Sequence, residues 1–324
     1  MRPLNELQQI IEKHLAKIEF NVKPKELYEP VKYILEIGGK RLRPSLVLAA
    51  YNLFKDDVES AIHPALALEV FHNFTLLHDD IMDKADLRRN QQTVHKKWDE
   101  NIAILSGDAM SIKAFEILAQ IPAGFLVEVL RVFNKTALQV CEGQQLDMNF
   151  ENRHDVSVDE YMEMIRLKTS VLIAVSLQIG AIMASASKND AQKLYDFGLN
   201  MGLAFQLQDD YLDAYGDVHI FGKKIGGDIV ANKKTFLLIK ALETADKENA
   251  EKLRDLINNT GIDGAKKIKS VLAIYNKLNV ETLLKNKMTS YYGKAIGALE
   301  NLSVEPDKIS VLKEFAGKLM NRES

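Results

Sequence analysis

Two short acidic runs carry the strongest chemical signal in this chain. Asp79, Asp80 and Asp83 form DDIMD, and Asp209, Asp210 and Asp213 form DDYLD. In each run the first and last aspartates are four residues apart. On a helix their carboxylates leave successive turns in the same direction. The preceding stretches, FHNFTLLH and MGLAFQLQ, favour helix. Stacking like charges on one face costs stability. A hard divalent cation offsets that cost by taking carboxylate oxygens. Mg²⁺ held by such runs would join the two helices through the phosphates of a ligand. The plainer alternative is a pair of solvated acidic helix ends, but both runs sit on otherwise apolar helices with basic residues downstream.

Those basic residues are the second signal. Lys40, Arg41 and Arg43 follow Gly38-Gly39 and precede Pro44. Arg88-Arg89 follows the first acidic run, and Lys223, Lys224, Lys233 and Lys234 lie in and after a glycine-rich stretch. Arginine grips two phosphate oxygens at once, whereas lysine acts as a mobile point charge. Lys168, beside Thr169, opens a long uncharged helix and suits the rim of a cavity. Acid on two helices with base around them fits two bound diphosphates, one through metal and one through cations directly. The stretch from Gly222 to Gly227 lacks GxxxxGK[ST], so it is not a nucleotide-cradling loop. His78-Asp79-Asp80 could open a histidine–aspartate hydrolase site, but the seven histidines offer no further ligand set at helical spacing.

The elements that must position these groups read as helical almost throughout. Prolines number seven, and all but Pro122 and Pro306 precede position 65. Apolar residues recur at three and four, as in Leu7, Ile10, Ile11 and Leu15, and no run alternates as an exposed strand does. Junctions fall at Ile37-Gly38-Gly39, Lys55-Asp56-Asp57, Ile121-Pro122, Glu151 to Ser157, Ser187 to Asp190 and Gly261 to Gly264. Gly216 to Asn232 reads as an ordered loop. No linker divides the chain, which predicts one all-α domain over residues 1–324, a helical bundle.

The 324 residues are 47 % apolar and 27 % charged, with a formal net charge of -3. This is ordinary for a soluble protein and shows no basic block of the kind that marks a nucleic-acid surface. The single cysteine, Cys141, excludes an intramolecular disulfide and fits a reducing cytoplasm. The N-terminal segment lacks the apolar core of a signal peptide. Thr169 to Ser187 carries no charge, but its serines and Gln178 predict a buried helix rather than a membrane span.

The motifs resemble those of the all-trans polyprenyl diphosphate synthases. Glu69-x-x-His72 leads into the first acidic run and Arg88-Arg89. Phe205-Gln206 leads into the second. Gly39-Lys40-x-x-Arg43-Pro44 precedes them, and Gly143-Gln144-x-x-Asp147 and Lys168-Thr169 lie between. Gly222-Lys223 and Gly226-x-Asp228-Ile229, with Lys233, follow. The resemblance spans roughly residues 28 to 300. It implies a helical bundle around a deep central cavity, usually a homodimer, and condensation of isopentenyl diphosphate with an allylic diphosphate. Asp79, Asp80, Asp83, Asp209, Asp210 and Asp213 would share Mg²⁺, a trio of ions, with the allylic diphosphate. Arg88, Lys168, Lys223 and Lys233 would contact that diphosphate. Lys40, Arg43, His72 and Arg89 would hold isopentenyl diphosphate. Thr169 and Gln206 would line the reaction centre, with Gln144 and Asp147 in support. Three positions depart from the family pattern: Asn90 and Asn232 stand where glycine is common, and Lys224 where proline is. Asparagine tolerates left-handed backbone angles, so the first two changes are compatible with activity.

Product length has its own ruler. Phe74 and Phe71 lie five and eight residues before Asp79, on adjoining turns. One turn is about 5.4 Å, close to one isoprene unit. A chain growing along this helix away from the aspartates meets Phe74, then Phe71. An aromatic five before the first aspartate resembles the C20-forming pattern, while non-aromatic Thr75 departs from the C15 one. The expectation is a C15 to C20 product, with C20 ahead. The alternatives are a terpene cyclase, for which DDYLD and the Lys40/Arg43 pair are the wrong motifs, and a non-catalytic partner subunit, which tends to lose aspartates.

Overall fold

The computed structural model describes residues 1–20, 22–216, 225–259 and 261–320. The chain divides into two compact units. One comprises residues 1–133, 175–194 and 303–311, and the other 134–174, 195–302 and 312–324. The all-α expectation holds in both.

In the first unit, α1 (Leu4–Leu15), α2 (Lys25–Glu36) and α3 (Leu42–Asn52) precede α4 (Ile62–Met82), which carries the first acidic run. Pro64 stands in the first turn of α4, where its missing N–H costs nothing. The middle of α4 is buried on every side, from Ala65 to Phe71. This explains why its apolar residues show no single stripe. A hairpin of two residues per strand, β1 (Leu87–Arg88) and β2 (Gln91–Gln92), follows, then α5 (Val94–Lys97) and α6 (Glu100–Leu118). Asp99 caps α6 by accepting from the Ile102 amide at 2.8 Å. Helix α4 packs on α6 at Gly107, where a Cβ would lie 2.2 Å from Nε2 of His78.

Helix α7 (Ala123–Glu151) leads to α8 (Val158–Ile165), which opens on a capping box between Ser157 and Glu160. Residues Arg166–Ser170 form a π turn, and α9 (Val171–Met183) continues from it. The expectation that Lys168 opens a helix is therefore corrected: it stands inside a wide turn between two helical segments. The long apolar stretch meets the length and hydropathy of a membrane span, but 78 % of its most apolar window is buried within the protein.

The second acidic run lies on α10 (Lys188–Tyr215). Beyond it come α11 (Gly227–Val230), α12 (Phe236–Thr244), α13 (Lys247–Asn258), α14 (Gly264–Lys277), α15 (Val280–Glu300) and α16 (Ser310–Met320). The stretch read as a loop up to Asn232 thus contains a helical turn. The second unit is held by a core that includes Phe150, Tyr161, Leu207, Phe236, Leu253 and Tyr275.

Candidate active site

The first unit gathers cations around a backbone that only glycine-like angles allow. Gly38 and Gly39 have φ of 88° and 150°, and Arg41 enters α3 at φ 42°. Arg41 is buried and heavily tied. It donates to Glu12 at 2.9 Å, to Glu69 at 2.9 Å and to the Leu35 carbonyl at 2.6 Å. These bonds hold the loop and turn Arg43 toward His72, whose Nε2 accepts from Arg43 at 2.9 Å. A Cβ on Gly39 would lie 2.7 Å from the Arg89 guanidinium. Glycine at this position lets Arg89 lie on the loop, and three of the four groups expected to hold isopentenyl diphosphate come together. Lys40 is exposed at the loop's edge.

This crowding sets protonation. Burial pulls the Arg43 guanidinium down to about 10, with Glu69 opposing and Arg89 reinforcing. Burial, and then Arg43, Arg89, Arg88 and Arg41, hold the His72 imidazole well below the usual 6.5. A neutral ring is what the Arg43 contact requires, since Arg43 can only donate. The sign follows. The unfolded chain takes up a proton at His72 near pH 6.5 and the folded chain does not, so this group removes stability as pH falls below 6.5. In the ligand-free protein the His72 ring resonances should stay fixed between pH 8 and 6. Titration near 6.5 would reject the neutral acceptor.

The tight hairpin after α4 sends two neighbouring arginines in different directions. Arg89 and Asn90 both lie at positive φ, 52° and 61°, so Asn90 supplies the angle expected of a glycine. Arg89 goes to the cation loop. Arg88 grips Asp80 with two bonds, Nε to Oδ2 at 2.8 Å and Nη2 to Oδ1 at 2.7 Å. Asp79 and Asp83, one turn apart, are more exposed than Asp80.

In the second unit a cavity of about 300 Å³ is lined by Asp209, Asp210, Asp213, Lys168, Thr169, Gln206, Asp147 and Lys233, among others. Helices reach it through two glycines. A Cβ on Gly143 would lie 2.3 Å from the Lys168 amide nitrogen, and one on Gly202 would lie 2.6 Å from the Ser170 Cα. Glycine on α7 and α10 therefore lets both helices close on the π turn. Lys168 Nζ meets Asp147 at 2.5 Å, and Thr169 donates to Gln206 Oε1 at 3.2 Å. Gln144 is buried one turn from Asp147 on α7. Lys223, with Gly222 and Lys224, lies outside the described residues.

Asp210 sits deeper than its neighbours. Its Oδ2 accepts from the Tyr161 hydroxyl at 2.5 Å and from the Phe236 amide at 3.3 Å. Burial pushes its carboxyl up to about 8, which the Tyr161 bond opposes and Asp228 reinforces. Asp213 is engaged from outside: Oδ2 accepts from the Asp228 amide at 3.0 Å. Tyr161 shapes the second site but was not singled out, because a lone tyrosine carries no spacing signal; Arg41, Asp228 and Lys234 were named within motifs without a role of their own.

The donor sets fit Mg²⁺, a hard ion that takes carboxylate oxygen, keeps waters and shares substrate phosphates. Among the described residues no cluster of three acidic or histidine side chains forms a closed cage. Each site instead presents carboxylates beside cations suited to a diphosphate.

Comparison with known proteins gives the family. The polyprenyl synthetase pattern matches residues 24–275. The chain is 42 % identical over 259 residues to a short chain isoprenyl diphosphate synthase of Methanocaldococcus jannaschii, covering 80 % of this chain and 78 % of that one. It is 37 % identical over 304 residues to a geranylgeranyl diphosphate synthase of Methanosarcina mazei, covering 93 % and 91 %. A crystal structure of a geranylgeranyl pyrophosphate synthase superposes with a TM-score of 0.95 at 44 % identity, over 100 % of both chains. With two aspartate triads, an arginine–histidine cluster and this likeness together, the chain belongs to the polyprenyl synthetase family of isoprenyl diphosphate synthases.

Proposed function

We propose that this enzyme condenses isopentenyl diphosphate with allylic diphosphates and releases a C15 to C20 all-trans prenyl diphosphate, C20 ahead of C15. The observation that carries the reading is the divergence of Arg88 and Arg89. Adjacent residues serve an acidic, metal-type diphosphate site and a cation-only one. A condensing enzyme needs both, whereas a cyclase has one diphosphate to bind.

Asp79, Asp83, Asp209 and Asp213 are the more exposed carboxylates of the two runs and would hold Mg²⁺, with the buried Asp80 and Asp210 in support. When bound, Mg²⁺ neutralises charge on the departing diphosphate. By the family resemblance, Arg88, Lys168, Lys223 and Lys233 would each contact the allylic diphosphate as its C–O bond ionises. Lys40, Arg43, His72 and Arg89 hold isopentenyl diphosphate so that its double bond reaches the cationic carbon. Thr169 and Gln206 orient their oxygens toward the developing charge. The proton lost from the adduct goes to the released diphosphate, and no side chain acts as nucleophile. Most of the acceleration comes from alignment and exclusion of water. The test is incubation with Mg²⁺, isopentenyl diphosphate and C5, C10 or C15 allylic diphosphates, with products sized by mass. Hydrocarbon release without condensation would favour a cyclase, and no turnover by the folded protein would favour a non-catalytic subunit.

A homodimer is part of the proposal. Ile104, Leu105, Ile112 and Phe115 are all exposed on α6, Ile112 by 70 % and Leu105 by 59 %. At about 100° per residue they fall within an arc of about 100°. Such a stripe on an otherwise soluble surface supports a partner, and a second copy of this chain is the simplest one. Leu105→Asp with Ile112→Asp should convert dimer to monomer in sedimentation velocity. An unchanged dimer would remove this face from the interface. The single Cys141, exposed, suits a cytoplasmic setting.

A further inference from the structure

A lysine far from every motif stands behind the second acidic site. Lys267, on α14, is 5 % exposed. Its Nζ donates to Asn232 Oδ1 at 2.6 Å and to the Val230 carbonyl at 3.3 Å. Among the described residues these partners are neutral oxygens, and burial alone lowers its pKa. Burying a cation without an acid is costly, and a solvent-facing lysine would avoid that cost.

What the amine holds is the segment 226–235. Asn232 lies at φ 55° and is its hub. Its Nδ2 donates to the Ile257 carbonyl at 3.0 Å, and its own carbonyl accepts from Lys234 at 3.3 Å. The Val230 carbonyl is one that the short α11 leaves without a helical donor. Ahead of it, the segment is pinned to the acidic run. The Gly226 amide donates to the Asp213 carbonyl at 2.6 Å, and the Asp228 amide to Asp213 Oδ2 at 3.0 Å. The Lys233 amide donates to the Asp228 carbonyl at 2.9 Å. Lys267 also lies beside Ile268, whose side chain fills the space where a Cβ on Gly226 would stand. Helix α14 thus grips both ends of a segment whose outer side orients Asp213 and Lys233.

We propose that Lys267, acting through Asn232, is a positioning residue that presents Asp213 and Lys233 to a magnesium-bound diphosphate. This rests on the function proposed above. It predicts an effect on ligand binding greater than the effect on folding. Because Asn232 is the relay, the Lys267 and Asn232 effects will not add.

The experiment uses the full chain and inorganic diphosphate with Mg²⁺, measured by calorimetry, alongside KM for an allylic diphosphate. Lys267→Met, which keeps the stem and removes the donors, should weaken magnesium-dependent diphosphate binding and raise KM about tenfold. Lys267→Gln should restore most of both. In an Asn232→Gly background, Lys267→Met should add less than twofold. Wild-type affinity and KM in a Lys267→Met protein of lowered Tm would make the lysine merely structural and overturn the proposal, as would fully multiplied effects. If Lys267→Met does not fold, Asn232→Gly decides alone: unchanged binding overturns the proposal and weakened binding supports it. Wild-type protein that binds magnesium diphosphate without condensing would reject the reaction, while the binding data would still judge Lys267.

Discussion

Replacing Asp79 or Asp209 by alanine should lower condensation kcat/KM on the order of 10³-fold. The loss follows from removing a preorganised group at the point where leaving-group charge develops, worth about 10² to 10³ in other sites. The Asp80 and Asp210 variants should lose stability as well as activity. Asp80 is gripped by the half-buried Arg88 and Asp210 by the buried Tyr161, so removing either leaves a partner unsatisfied and lowers Tm. Steady-state kinetics on the four variants, with thermal unfolding for Asp80→Ala and Asp210→Ala, checks both. Wild-type activity in the Asp79→Ala or Asp209→Ala protein would remove that run from the metal site.

The second large effect concerns product length. Phe74 is partly buried, and its ring packs against His78 at 4.8 Å and Phe71 at 5.4 Å between centroids. Phe71 is buried and meets Phe133 edge-on at 5.1 Å, and Phe133 in turn meets Phe115 at 5.3 Å. The two positions should therefore not be equivalent. Phe74→Ala should shift products beyond C20. Phe71→Ala alone should leave length nearly unchanged and cost about 3 to 5 kcal/mol, the range for emptying a buried phenylalanine site. The double variant should lengthen the product further than Phe74→Ala. Mass analysis of products, with denaturant unfolding for Phe71→Ala, tests both. Unchanged products from the double variant would remove the ruler.

The acidic runs, the glycine loop and the arginine pair were legible because each is a short pattern on one element, and local spacing fixes where such side chains lie. Asn90 and Asn232 were legible as tolerated departures, and both take the left-handed angle. What sequence spacing could not convey depends on approach between distant elements. The pairing of Tyr161 with Asp210 needs residues 49 apart to meet, and Lys267 with Asn232 needs residues 35 apart. The π turn at Arg166–Ser170 was missed for another reason: Lys168 read as the opening of a helix. Its setting is tertiary, since Gly143 and Gly202 bring α7 and α10 against it, and Ser170 closes the turn locally by donating to the Ile165 carbonyl at 3.2 Å.

That turn also sets angular phase. A wide turn inserts an extra residue into a helical path, so the segment after it is rotated by about 100° from where an unbroken helix would place it. Before the turn, α8 can aim Tyr161 by one phase. After it, α9 is buried on every side from Val171 to Leu177 and needs no phase, while Lys168 and Thr169 line the cavity from the offset itself. Deleting a single residue between 166 and 170 would restore regular hydrogen bonding and still cost the protein its site, because Lys168 and Thr169 would no longer both face the cavity. The irregular step lets a uniformly apolar rod carry a polar address.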